Sequence, residues 1–177
     1  LKIIVSNLVS LDTEVLPRQI DAIYYLAQSR RFRKFPEDSI DVFEVNIHAP
    51  LKLADWAIRN NIKKFFYASS GGVYKNPTQP VKEFFDINVN KKNGFYLDSK
   101  LSAEILLRNY SSFFELFAIL RPFFIYGPGQ HATMLMPRLI RNVLTGEAIF
   151  LNGEEGIRIN PVYVGDAVIV FERLLGI

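Results

Sequence analysis

The chain has 177 residues, 49% hydrophobic and 22% charged, which is enough to bury a core and excludes bulk disorder. With no Cys and only two His, His48 and His131, the sequence offers no disulfide scaffold, no thiolate metal site and little for an imidazole centre, so no metal is expected. The formal net charge of +3, from 21 basic against 18 acidic residues, is too mild an imbalance to imply nucleic acid.

In chain order, short apolar runs at 2–5, 22–26, 64–68 and 116–120 read as buried strands. The basic cluster Arg30, Arg31, Arg33 and Lys34 reads as a solvated face. Helical spacing joins Val42, Val45, Ala49, Leu53 and Trp56, so a helix is expected over 39–60. Pro50 cannot donate to the Asn46 carbonyl, so that helix must kink or restart there with helix on both sides. Asn60 and Asn61 then end it, because Asn tolerates left-handed geometry. A second helix, carrying Leu97, Leu101, Ile105 and Leu106, runs from Tyr96 to about Tyr110. Strand and helix therefore alternate, which predicts an α/β fold with a doubly wound parallel sheet and helices on both faces.

After Pro122 the texture changes: Gly127, Pro128, Gly129, Pro137 and Gly146 break the chain into short pieces. The expected organisation is a main domain over 1–125 and a smaller lobe over 126–177. No apolar run approaches the roughly 20 residues that span a bilayer, and no signal peptide opens the chain. A soluble cytoplasmic protein without membrane contact is expected.

The chemistry lies at two places. Tyr96 and Lys100, four apart, share one helix face, and a nearby ammonium would lower a phenol toward neutrality and make it a general base. Alone, such a spacing is common, with Lys covering a ring by its stem. Ser70 adds to it: it follows directly on the 64–68 run, and in a parallel sheet the ligand crevice lies outside the carboxyl ends of the strands.

With these residues in order, the chain resembles the extended short-chain dehydrogenase/reductase family, the NAD-dependent nucleotide-sugar epimerases and dehydratases. Asp21 to Ala27 resembles the family strand ending in Leu-Ala-Ala beside the cofactor, and Val45-Asn46-Ile47 its Asn-Val helix. Ser70, Tyr96 and Lys100 match the catalytic triad, Leu120-Arg121 with Tyr126-Gly127-Pro128-Gly129 a later segment, and Arg158 to Asp166 the last one. The resemblance implies a Rossmann-like dinucleotide-binding domain followed by part of a substrate lobe. It implies that Tyr96 removes a sugar hydroxyl proton, Ser70 hydrogen-bonds the substrate oxygen, and Lys100 lowers Tyr96 and holds the nicotinamide ribose. It further implies NAD or NADP beside Asn7, Leu26, Ala27, Asn46, Tyr96 and Lys100, substrate at Ser70 and Arg158, a nucleotide-sugar substrate, and a homodimer of the complete protein.

Departures from the family pattern matter too. The first 70 residues hold no glycine, so the glycine-rich turn that receives the pyrophosphate is absent from this chain, which reads as truncated at both ends. Residues 1–177 alone are expected to bind the dinucleotide weakly and to aggregate. Gly127 to Ala132 fits Gly-x-Gly-x-x-Ala but is a false match in the substrate lobe. Asn7 stands where the family has an Asp near the adenine, and Phe124 where many epimerases have Asn. Gly71 and Gly72 stand where sugar 4,6-dehydratases carry Asp-Glu, which disfavours dehydration by that route. The leading expectation is an NAD(P)-dependent nucleotide-sugar epimerase or related reductase. The alternative is a non-catalytic member of the fold acting as a dimerising or ligand-sensing module.

Overall fold

Three of the four apolar runs pair into one parallel sheet in the computed structural model, which describes residues 2–74, 80–85, 87, 89, 93–150 and 159–176. Strands β1 (Ala22–Tyr25), β2 (Lys64–Ala68) and β3 (Leu116–Leu120) lie in that order, with Tyr25 opposite Tyr67 and Tyr67 opposite Ile119. Side chains alternate between the two faces of a strand. Tyr25, Phe65 and Tyr67 therefore point to one face, where they pack with Ala54, Trp56, Ala103 and Leu107.

Those partners belong to the intervening helices. Helix α1 (Ser39–Phe43) passes into a π-helical stretch, Glu44–His48, and then into α2 (Ala49–Arg59). Pro50 explains the wide turn: it has no N–H for the carbonyls of Val45 and Asn46, five and four residues back. Two buried tyrosines supply the missing donors. Tyr25 Oη donates to Val45 O, and Tyr67 Oη donates to Asn46 O at 3.1 Å. The helix thus continues through Pro50, as expected. It stops at Asn61, whose φ of 57° is left-handed and lets Ile62 N close on Ala57 O at 3.0 Å. Helix α3 (Phe95–Leu107) follows β2 and ends in a 3-10 turn, Arg108–Phe113.

One expectation is corrected. Among the described residues, 2–5 join no sheet; Ile3 and Val5 are exposed, because a β-prone run becomes a strand only where a neighbour takes its hydrogen bonds. Helices α2 and α3 pack against each other and share one core. Strands laid down in one direction, with crossovers of one hand, return both helices to the same side.

The chain divides into two compact units, Leu1–Arg121 and Pro122–Ile177. In the second, β4 (Phe124–Tyr126) and β5 (Pro161–Tyr163) pair in parallel, with α4 (Leu135–Thr145) and α5 (Val164–Leu175). Gly127 is fixed by close approach: a Cβ there would lie 2.4 Å from Val164 Cγ1. Among the described residues no helix is long and apolar enough to cross a membrane.

Candidate active site

Parallel strands end at one edge of their sheet, so Ala27 and Gln28 after β1 lie on the same side as Ser69 and Ser70 after β2. Lys100 ties these two ends together. Its ammonium, only 2% exposed, donates to Ala68 O at 2.9 Å and Ala27 O at 3.3 Å and lies 5.0 Å from the Tyr67 ring centroid. Burial pushes Lys100 down to about 8, since the charged form loses hydration.

Tyr96, one turn earlier on α3, sits above this edge. Its Oη donates to Gln28 Oε1 at 2.8 Å, and its ring leans on Phe32 with centroids 4.8 Å apart. Burial raises the phenol above its ordinary value, and a hydrogen bond with the Ser70 side chain opposes that rise. Desolvation outweighs the Ser70 contribution at Tyr96, and the Lys100 ammonium donates to two carbonyls. Ser70 is itself oriented by a tight turn, its Oγ accepting from Gly72 N at 3.1 Å and its carbonyl from Val73 N.

Asn46, fully buried on the π-helical stretch, braces the arrangement. Its Oδ1 accepts from Ser29 N at 3.0 Å and its Nδ2 donates to Ser99 Oγ at 2.9 Å, joining the loop after β1 to the helix of Tyr96. Leu26 is exposed at the strand end, and Ala27 contributes its carbonyl to Lys100. Asn7 caps a 3-10 turn, Leu8–Ser10, its Oδ1 accepting from Val9 N. Arg158 lies outside the described residues. The structure brings together Ser70, Tyr96, Lys100, Ala27 and Asn46.

Sequence reasoning missed Gln28 and an ion pair beneath the site. Gln28 directly follows the stretch Asp21 to Ala27 that resembles the family strand, and an amide at that strand end was the available signal. Glu104, one turn beyond Lys100, is buried against Arg121, which also donates to Tyr74 Oη at 2.6 Å. Two polar groups retain capacity for a hydroxyl-rich ligand: the Ser69 hydroxyl is buried without a partner, and Lys100 has a third donor beyond its two carbonyls. A dinucleotide ribose fits these groups chemically. Among the described residues no His, Cys, Asp and Glu cluster could hold a metal. By itself, the second unit carries an apolar cleft of about 620 Å³ lined by Tyr126, Met136, Ile140, Arg141 and Tyr163.

The NAD dependent epimerase/dehydratase family matches residues 3–176. A dTDP-D-glucose 4,6-dehydratase of Dictyostelium discoideum is 27% identical, over 93% of this chain and 42% of its own length. A UDP-N-acetyl-alpha-D-glucosaminuronate decarboxylase of Bacillus cytotoxicus is 30% identical, over 86% and 49%. Among solved structures, UDP-glucuronic acid 4-epimerase from Bacillus cereus, in complex with UDP-glucuronic acid and NAD, superposes with a TM-score of 0.78. It is 25% identical and covers 96% of this chain and 54% of that one. The chain spans about half the length of the curated relatives it matches.

Proposed function

The chain belongs to the NAD-dependent epimerase/dehydratase family, and on that premise we propose that the complete protein is a nucleotide-sugar epimerase or related reductase that oxidises and re-reduces a sugar carbinol. Tyr96 Oη takes the proton of the carbinol hydroxyl and later returns it. Ser70 hydrogen-bonds the substrate oxygen and favours the phenolate, while Lys100 uses its remaining donor on the nicotinamide ribose. NAD, when bound, would supply the acceptor and donor for a hydride at the carbinol carbon, delivered back to the opposite face to invert the centre, while the O–H proton goes to Tyr96. Oxidation and reduction cancel, so no net cofactor is consumed. Arg158 is assigned the substrate pyrophosphate by resemblance.

The observation that carries this reading is the placement of Tyr96 Oη, on Gln28 after β1, beside the strand ends that the buried Lys100 ammonium holds together through Ala27 O and Ala68 O. Gly71 and Gly72, which carry no carboxyl where sugar 4,6-dehydratases have an acidic pair, favour epimerisation over 4,6-dehydration. We assign the protein to the cytoplasm and to a homodimer built on the outer faces of α1 and α3, where Ile40, Phe43, Ile105 and Leu106 are exposed.

Label retention tests the reaction class. A sugar nucleotide deuterated at the inverting carbon should keep its deuterium through many turnovers of the complete protein. Loss of the label to solvent would mean proton abstraction at carbon and would sink the proposal.

A further inference from the structure

Gln28 Oε1 accepts from Tyr96 Oη, the atom on which the proposed chemistry turns, and it reaches Tyr96 from a different element, 68 positions earlier in the chain. Phe32 from the same loop fixes the ring, and Phe35 stacks on Phe95 with centroids 4.7 Å apart, so the loop after β1 is set against the start of α3 at several points. Its backbone is tied down as well, since Ser29 N donates to the buried Asn46. Gln28 is therefore presented to Tyr96 by a braced loop.

The amide is the informative choice of side chain. A neutral phenol has a proton to donate, whereas a phenolate can only accept. A primary amide carries an acceptor oxygen and a donor NH2 that exchange places by rotation of its last torsion. We propose that Gln28 is a positioning residue for Tyr96, accepting from the phenol through Oε1 and donating to the phenolate through Nε2, so that Tyr96 keeps one partner in both protonation states. The inference rests on Tyr96 being the proton acceptor of the reaction, and it names the residue that holds that acceptor in place.

The bond to the ionised form is the stronger of the two, because hydrogen bonds to charged groups exceed neutral ones. Gln28 thus favours the phenolate relative to an apolar side chain. A carboxylate of the same shape can only accept and adds a negative charge beside the phenolate, so it acts in the opposite sense. The other groups around Tyr96 are Ser70, Tyr67 on β2, and Asp98 and Lys100 on α3, with Arg33 behind Phe32 at 5.1 Å from its ring centroid. None of these is altered by a change at Gln28.

The experiment is an ultraviolet titration of tyrosinate in the complete protein by rapid pH jumps, with the Tyr96→Phe protein subtracted to isolate Tyr96. The expected order of midpoints is wild type, then Gln28→Leu, then Gln28→Glu. Leu should raise the midpoint by roughly half a pH unit and Glu by about one or more. A Gln28→Leu midpoint at or below wild type, or a Gln28→Glu midpoint no higher than Gln28→Leu, overturns the proposal. The readout needs no turnover, so its failure is distinct from failure of the catalytic reading, which full activity of Tyr96→Phe would bring about.

Discussion

The carboxylate of Glu104 is clasped by the guanidinium of Arg121, with Nε at 3.0 Å from Oε1 and the terminal nitrogen at 2.6 Å from Oε2. The pair links α3, which carries Tyr96 and Lys100, to the end of β3. Through Tyr74 Oη and the Glu83 carbonyl it also reaches the segment that follows Ser70. Such a pair is worth little against an apolar replacement, but one left without its partner is costly.

Arg121→Ala should therefore destabilise the protein by about 3 kcal/mol, because Glu104 keeps only the half-exposed Arg108. The double variant Glu104→Gln, Arg121→Met should recover most of that loss. Chemical denaturation of the three proteins measures both, and equal destabilisation of the single and double variants would refute the coupling.

The buried ammonium of Lys100 gives stability a pH dependence of definite sign. Its folded value, about 8, lies below the unfolded one, so between pH 8 and 10 the unfolded chain binds more protons and stability rises with pH. The rise should be roughly 1–2 kcal/mol. Above pH 10 it reverses, since Tyr25 and Tyr67 are raised by burial and hold their stabilisation only while protonated. Lys100→Met should lose the rise. A Lys100→Met protein with the wild-type pH profile of unfolding would exclude this assignment.

Asn46→Ala should cost about 1–3 kcal/mol, because Ser29 N and Ser99 Oγ lose a buried partner at once. The loop after β1 should loosen with it. Hydrogen exchange at Ser29 reads the effect directly, and unchanged protection there would argue against the brace.

Much of this was legible in the chain. The runs that became β1, β2 and β3 are dense in aromatic and β-branched side chains, and Pro50, Asn60 and Asn61 announce their backbone consequences locally. Residues 2–5 have the same texture, yet pairing is a property of neighbours rather than of the run. The Ser70, Tyr96 and Lys100 set was visible through spacing and order. Its electrostatics were not, because spacing cannot reveal that Lys100 donates hydrogen bonds to the Ala27 and Ala68 carbonyls or that burial raises Tyr96. Gln28 and Glu104 escaped for a related reason: each acts across a contact that only the folded chain creates.

The central claim is that Tyr96 moves a proton during inversion of a sugar carbinol. Its direct test is nuclear magnetic resonance of UDP-sugars and dTDP-sugars incubated with the complete protein and NAD, beside Tyr96→Phe and Ser70→Ala. The account predicts interconversion of two epimers without net NADH. It predicts at least a 100-fold loss of turnover in Tyr96→Phe with substrate affinity nearly unchanged, and a smaller loss in Ser70→Ala. Binding of the same sugar nucleotides with no epimer formed, or full turnover by Tyr96→Phe, would contradict it.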